Sequence, residues 1–279
     1  MKAANFDYQR PLTLQAALRF LADAGGSAKV MGGGQSLGPM LNLRLTRPKL
    51  VIDVSALEEL RQVRQQGAAI RIGAAVTHAE IEDGVHALLR GGLLQSVAGG
   101  IAYRAIRNRG TVGGSLAHAD PAADWVLAAT ALGAEVEIAT QAGTRRVPMD
   151  GFMQGAYTTV LGEGELLAAL WVRRLGPAAR WGYFKFCRKT GEFAEASCAA
   201  VFDPARKLAR VVLGALDGAP RALPALAAQV ARSGAVPDRP SIEAAVTAAA
   251  ASKDAVDRKL LAAAVERCLG QVLTPEPVQ

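Results

Sequence analysis

Two glycine-rich segments contain the residues of this chain that are best suited to chemistry. The first, VMGGGQSLGP, covers residues 30–39, and the second, GTVGGSLAHADPAAD, covers residues 110–124. Glycine lets the backbone adopt positive φ and lets a ligand approach the backbone amides. Successive N–H groups in such a turn form a nest for an anion, and phosphate is a common guest. One such cluster is usually an ordinary tight turn, but two in one chain predict a pair of cradles for a diphosphate.

The first segment does not follow either of two familiar nucleotide-binding motifs. A dinucleotide-binding G-x-G-x-x-G would need glycine where Leu37 stands. A Walker loop starting at Gly33 would have Pro39 and Met40 in place of lysine and serine or threonine. Asp53 lies about twenty residues further on, where a Rossmann fold has its ribose-binding acid. Because the glycine pattern is absent, Asp53 is not interpreted in that way.

Polar side chains surround the glycines of the second segment. Thr111 and Ser115 supply hydroxyl groups, and Asp124 supplies a carboxylate in the first turn of the helix that follows. That carboxylate can accept from a ribose hydroxyl or can simply complement the helix dipole. The residues alone leave both roles open. His118 and Asp120 resemble a metal pair, but no third ligand stands at a suitable spacing.

Composition limits the class of protein. A chain of 279 residues with 51% hydrophobic residues predicts a globular protein of two domains. No apolar run approaches the length of a spanning helix, and MKAANFDYQRPLTL lacks the apolar region of a signal peptide, so a cytoplasmic protein without a transmembrane segment is expected. The three cysteines show no C-x-x-C spacing, which argues against a zinc site or an iron–sulfur cluster on this chain.

The net charge is +7, but the basic residues are dispersed and only 5% of residues are aromatic. Nucleic-acid surfaces combine clustered basic residues with stacking side chains, so nucleic-acid binding is not predicted. The charge suits an acidic protein partner or an anionic cofactor better.

The elements that must position the two segments are strands and helices in mixed order. Helices are predicted at residues 14–24 after the Thr13 cap, after the capping box Thr77–Glu80, at 93–106 with a bend at Gly99-Gly100, at 121–132 after the Asp120 cap, and within 224–273. Strands are predicted at residues 28–31, 48–55, 68–76, 134–140, 166–172, within 181–202, and at 208–216. This order predicts an α+β fold with a boundary between residues 176 and 177.

Three segments together carry a resemblance to a known family. GGGQSLGPMLNLRL, AIRNRGTVGGSLAHADPAAD and KFCRKTGEFA resemble the flavoprotein (medium) subunit of the molybdenum hydroxylases, the carbon monoxide dehydrogenase and xanthine dehydrogenase family. The similarity runs in order along nearly the whole chain. It implies a two-part FAD-binding domain of the vanillyl-alcohol-oxidase-like (PCMH) type at residues 1–176, with subdomains of about 1–55 and 56–176. A smaller α+β domain with an antiparallel sheet plus helices would follow at 177–279.

The resemblance also implies a set of cofactor-binding residues and no catalytic or metal-ligating residue on this chain. The first segment would wrap the FAD pyrophosphate through Val30, Met31, Gly32, Gly33, Gly34, Gln35, Ser36 and Leu37. The second would contribute Thr111, Val112, Gly113, Gly114 and Ser115, with Asp124 on the sugar. Ile101 and Leu167 would line the cofactor, Lys185 would lie near the flavin or its diphosphate, and Phe193 beside the isoalloxazine. Ser115 replaces an asparagine that is common in the family, and Glu192 replaces its usual aspartate.

Lys185 has a physical rationale of its own. A cation near the N1/C2 end of a flavin stabilises the anionic reduced ring and raises its potential. Without the resemblance, a solvated strand lysine explains the residue equally well.

The function implied is that of an FAD-binding electron-transfer subunit of a heterotrimer. Its partners would be a small subunit with [2Fe–2S] clusters and a large molybdopterin subunit, and an external acceptor would take the electrons. Quinone, NAD, a cytochrome and oxygen all remain open as that acceptor. A stand-alone flavin-dependent oxidoreductase of the same fold and a flavin-free binding protein are the alternatives.

Overall fold

The computed structural model describes residues 2–273 of the chain, and it begins with a three-stranded parallel sheet. The strands are β1 (Asp7–Gln9), β2 (Ala28–Met31) and β3 (Leu50–Asp53), in the order β1-β3-β2. Helix α1 (Leu14–Asp23) joins β1 to β2, and α2 (Leu37–Asn42) precedes β3. The first glycine segment therefore lies at the carboxyl end of a parallel strand, the edge where α/β sheets bind ligands.

A five-stranded antiparallel sheet follows, in the order β4-β5-β10-β6-β7. Its strands are β4 (Val63–Gln66), β5 (Ala69–Gly73), β6 (Glu135–Thr140), β7 (Gly143–Pro148) and β10 (Leu166–Arg173). The short strands β8 (Met153–Gly155) and β9 (Thr158–Thr159) pair separately. The central strand β10 is buried along all but its last residue, which is why its sequence is a continuous apolar run.

Several short helices connect β5 to β6. They are α3 (His78–Glu82), α4 (Leu93–Gly99), α5 (Arg104–Arg107), α6 (Val112–His118) and α7 (Asp124–Ala131), and α8 (Met149–Phe152) follows β7. Every residue of α7 is buried, and its Trp125 packs in the core with Phe152 and Leu170. The predicted capping box is present, because Thr77 and Glu80 exchange both hydrogen bonds at the start of α3.

The C-terminal part combines an antiparallel sheet with helices, as predicted. The strands are β11 (Arg180–Phe186), β12 (Ala196–Asp203), β13 (Leu208–Gly214) and β14 (Arg221–Ala222), and the helices are α9 (Pro224–Ser233), α10 (Arg239–Ala249) and α11 (Ala255–Leu273). Helix α11 packs closely on β11: a Cβ on Gly182 would lie 2.6 Å from the Cys268 carbonyl oxygen. The α+β class predicted from the sequence is correct.

Two helix predictions need correction. The helix predicted to start at Pro121 begins at Asp124, because Asp120 does not cap it. The Asp120 carboxylate accepts from the Ala122 N–H at 2.9 Å and closes a separate turn. The helix predicted at residues 93–106 is interrupted after Gly99 and divides into α4 and α5.

Within residues 2–273, no helix is long and apolar enough to cross a membrane. In the same range, no cluster of three His, Cys, Asp or Glu side chains is arranged to hold a metal ion.

Candidate functional site

The first glycine segment presents a row of free backbone donors. Among the described residues, the N–H groups of residues 33–37 donate to no protein group, while the Gln35 side chain donates to the Gly33 carbonyl at 3.0 Å. Gly34 has φ 72°, a conformation that a residue with a Cβ adopts only at a cost. Consecutive unpaired N–H groups of this kind form an anion nest, and a phosphate is the ligand such nests commonly bind.

The two glycine segments lie against each other. A Cβ on Gly32 would come 2.6 Å from Thr111 Oγ1, and a Cβ on Gly33 would come 1.8 Å from the Arg109 carbonyl oxygen. These two glycines are therefore required for close packing, and the expectation that they supply positive φ is wrong, since only Gly34 does so among residues 32–34. The sequence prediction that the two segments act together is consistent with this contact.

The prediction of a second amide nest is wrong. Residues 112–118 form helix α6, which Thr111 caps. The N–H groups of its first turn are all satisfied inside the protein: Val112 donates to Val76 O at 3.0 Å, Gly113 to Ala74 O at 2.9 Å, Gly114 to Thr111 Oγ1 at 3.1 Å and Ser115 to Thr111 O at 3.0 Å. The segment offers a ligand the exposed backbone of Gly114 and the half-exposed Ser115 instead.

Asp124 and Lys185 form an ion pair with each other. Lys185 Nζ donates to Asp124 Oδ1 at 2.9 Å, and the two side chains are only 11% and 9% exposed. The Tyr183 hydroxyl also donates to Asp124 Oδ1, and Lys185 Nζ also donates to the Gly100 carbonyl at 2.9 Å. Burial raises the pKa of Tyr183 well above its usual range, and the negative charge of the nearby Asp124 carboxylate raises it further. The cluster ties β11 to the N-terminus of α7 and to the end of α4.

The apolar residues of the predicted site occupy different environments. Ile101 packs on the edge of the main core, whereas Leu167 lies inside that core, opposite Ile138 of the neighbouring strand. Phe193 is 69% exposed on the loop between β11 and β12. In that loop Gly191 lies against the ring of Tyr103, since a Cβ on Gly191 would be 2.8 Å from the ring atoms. Phe193 and the exposed Tyr103 thus stand on two loops that touch.

Sequence reasoning missed Tyr103, His78 and Arg107. The Trp125 indole donates to His78 Nδ1 at 2.9 Å, so the ring is neutral with its proton on Nε2. Burial, helped by the charge of Arg107, lowers the pKa of His78 to about 4. His78 directly follows the capping-box threonine and nothing in its spacing distinguishes it, so only the tertiary contact reveals its role.

Comparison with known protein families gives one match over the N-terminal part. Residues 4–172 match the family described as the FAD binding domain in molybdopterin dehydrogenase. The carbon monoxide dehydrogenase medium chain of Hydrogenophaga pseudoflava is 37% identical over 196 residues, which are 70% of this chain and 68% of that protein. The 6-hydroxypseudooxynicotine dehydrogenase complex subunit alpha of Paenarthrobacter nicotinovorans is 35% identical over 80% of this chain and 76% of its own length.

Solved structures match the fold over nearly the full length. Carbon monoxide dehydrogenase from Hydrogenophaga pseudoflava, in a form lacking the Mo-pyranopterin moiety, superposes with a TM-score of 0.88 at 31% identity, and 98% of each chain is covered. Quinoline 2-oxidoreductase from Pseudomonas putida 86 superposes with a TM-score of 0.86 at 32% identity, with the same coverage. The match therefore includes the C-terminal sheet and helices, which lie beyond the matched family region.

Proposed function

This chain belongs to the family of FAD-binding domains in molybdopterin dehydrogenases, and on that basis we propose that it is the FAD-binding, electron-transferring subunit of a heteromeric molybdenum hydroxylase. The observation that carries the proposal is the row of free N–H donors at residues 33–37, at the carboxyl end of a parallel strand. A diphosphate needs such donors. Because the second glycine segment lies against the first, the binding surface extends beyond this row of donors.

The residues present fit FAD. The nest at residues 33–37 suits the pyrophosphate, Gly114 and Ser115 are accessible beside it, and Phe193 and Tyr103 offer exposed aromatic surface. The chemistry supplied by bound FAD is the uptake and release of electrons at its isoalloxazine ring. We keep the cofactor-binding set predicted from the sequence as a proposal, except that the second segment contributes through Gly114 and Ser115, since Val112 and Gly113 are buried.

The protein's own residues bind and orient the cofactor. The helix cap at Thr111 fixes the second segment against Gly32, so the donor row has a rigid neighbour. The ion pair of Asp124 with Lys185 lies between α7 and β11 and joins the two elements. We propose that the flavin has this neutral ion pair, rather than a free Lys185 cation, on this side.

The partners are proposed by analogy with the relatives, which are named as medium chains and subunits of dehydrogenase complexes. We propose a small [2Fe–2S] subunit that delivers electrons, a large molybdopterin subunit that oxidises the substrate, and an external acceptor. A cytoplasmic location belongs to the same proposal. The chain's net charge of +7 suits docking to acidic partners.

The first experiment measures flavin identity and affinity. The chain is purified without added flavin, its cofactor is identified by mass spectrometry, and the deflavinated protein is titrated with FAD and FMN. FAD should bind at least about tenfold more tightly, because FMN lacks the second phosphate and cannot fill the nest. Equal affinity for the two flavins would contradict the proposal.

The second experiment measures assembly. The chain is isolated from its native cells under mild conditions, and the iron, molybdenum and flavin contents of the material are determined. Iron and molybdenum should co-purify with the flavin. A chain that purifies alone and reoxidises rapidly with oxygen would instead favour a stand-alone flavin oxidase.

A further inference from the structure

The segment between α4 and α5 is held by cationic side chains at three consecutive carbonyl groups. Lys185 Nζ donates to the Gly100 carbonyl at 2.9 Å. Arg107 Nη1 donates to the Ile101 carbonyl at 2.9 Å and to the Ala102 carbonyl at 3.0 Å. Carbonyls of a short loop usually face water. Three consecutive carbonyls bonded to charged side chains therefore indicate that the conformation of this loop is held by specific contacts.

The backbone so fixed is strained. Ala102 has φ 43°, in the left-handed region. An L-residue with a Cβ is less stable there than in its ordinary conformations, because the Cβ comes too close to the following carbonyl oxygen. Such conformations persist where the surroundings impose them, and they concentrate at functional sites. Arg107 supplies the constraint, because it binds the carbonyl of Ala102 itself and that of the residue before it.

Arg107 is itself anchored on its other side. Its Nε and Nη2 atoms bond the two carboxylate oxygens of Glu82 at 2.7 and 2.9 Å, and its side chain is only 12% exposed. The planar guanidinium thus reaches from Glu82 to two backbone carbonyls, a task that a lysine could not perform with one ammonium group.

The fixed segment carries two residues that the proposed function assigns to the flavin site. Ile101 belongs to the cofactor-lining set, and Tyr103 is 59% exposed with its ring against Gly191. The loop of Gly191 also carries Phe193. The segment therefore shapes the ring end of the site, whereas the diphosphate end is built separately from residues 33–37 and Thr111.

We propose that Arg107 is a positioning residue for the ring end of the flavin site. It holds the segment 100–103 in its left-handed turn, so that Ile101 and Tyr103 present the surface against which the isoalloxazine lies. This inference rests on the proposed function, and it predicts that the ring end can be loosened while the diphosphate end remains intact.

The test uses the full chain with the substitution Arg107→Met. Glu82 keeps Arg104 as a partner at 3.0 Å, so no carboxylate is left unpaired. The Kd for FAD should rise about tenfold or more, which corresponds to about 1.4 kcal/mol, while the Kd for ADP should stay within about twofold. The visible circular dichroism of bound FAD should approach that of free FAD, and the midpoint potential should shift, which a purely structural role would not cause.

Arg104→Met is the matched control. Arg104 also pairs with Glu82 and Asp83, but it is 48% exposed and bonds to none of the three carbonyls. Its loss should leave the FAD affinity, the ADP affinity and the dichroism unchanged. Ala102→Val is a second route to the same effect, because a β-branched residue opposes the left-handed turn while Arg107 stays in place.

Several outcomes would overturn the inference. One is an equal loss of FAD and ADP binding in Arg107→Met and in Ala102→Val, since the role of Arg107 would then be structural. Another is that FAD affinity and dichroism stay unchanged in both of these variants. An ADP affinity too weak to measure in the unaltered chain would also count against it, because the two ends would not bind independently. If the unaltered chain binds ADP but not FAD, the proposed function itself fails.

Discussion

At the scale of single residues, glycine serves two different purposes in the site. Gly33 is needed because the Arg109 carbonyl leaves no room for a Cβ, and Gly34 is needed because its φ is 72°. The sequence predicts that these glycines matter, but it cannot distinguish packing from backbone conformation. That distinction depends on a segment about eighty residues away, which only the folded chain brings into contact.

Gly34→Ala should weaken FAD binding while the protein stays folded. A Cβ at φ 72° favours a change of the backbone, which would disperse the row of donors at residues 33–37. We expect a loss of FAD affinity of at least about tenfold in a titration. Gly67→Ala is the matched control, because Gly67 has φ 60° and open space around it, but it lies in the turn between β4 and β5. Equal FAD affinity in the two variants would argue against the nest.

His78 should make the protein less stable as the pH falls. Its folded pKa is about 4, and the unfolded value is near 6.5. The unfolded state therefore binds more protons between these values, so stability decreases as the pH drops through that window. Between about pH 7.5 and about pH 4.5 the contribution is about 2–3 kcal/mol. Urea unfolding of the unaltered chain and of His78→Gln, compared at both pH values, should show a smaller decrease in the variant. Equal decreases would mean that His78 does not titrate in this way.

At the scale of elements, local signals predicted the helices that have ordinary caps. Thr13 accepts from the Ala16 N–H at 3.2 Å, and Thr77 and Glu80 form their capping box, as their spacing predicts. Helix α6 was missed because two glycines occupy its first turn, and glycine is unfavourable inside helices. Its start is stabilised by Val76 and Ala74, whose carbonyls accept from that turn, and such tertiary contacts do not appear in a local pattern.

Lys185→Met should destabilise the contact between β11 and α7. The substitution leaves the Asp124 carboxylate buried without its cation, and breaking a buried pair on one side costs about 3–5 kcal/mol. Arg188→Met is the control on the loop that follows the same strand. Arg188 is 78% exposed in its pair with Glu195, so its loss should cost no more than about 1 kcal/mol. Urea unfolding measures both, and similar costs would show that the Asp124 pair contributes little.

At the scale of the whole molecule, helix α7 connects two cores. Trp125 and Val126 pack in the core of the five-stranded sheet, while Leu127 and Ala131 pack against strands β12 and β13 of the C-terminal sheet. The domain boundary between residues 176 and 177 remains a prediction from the change in sequence pattern at that point. The sequence does not show that this short helix packs against both cores, because apart from Asp124 and Thr130 its residues are apolar and their pattern does not assign separate faces.

Leu127→Ala should separate the unfolding of the two cores. Leu127 is 2% exposed and fills the space beside Gly214, so its truncation should cost about 2–5 kcal/mol and weaken the contact that couples the sheets. The unaltered chain should unfold in one transition, and the variant should lose hydrogen-exchange protection in the C-terminal strands before the five-stranded sheet opens. Leu226→Ala is the control, since Leu226 is 1% exposed but lies wholly within the C-terminal core. It should lower stability by a similar amount while the chain still unfolds in one transition. If Leu127→Ala behaves like this control, the coupling does not depend on the Leu127 side chain, and other contacts of α7, such as the Asp124 pair with Lys185, must carry it.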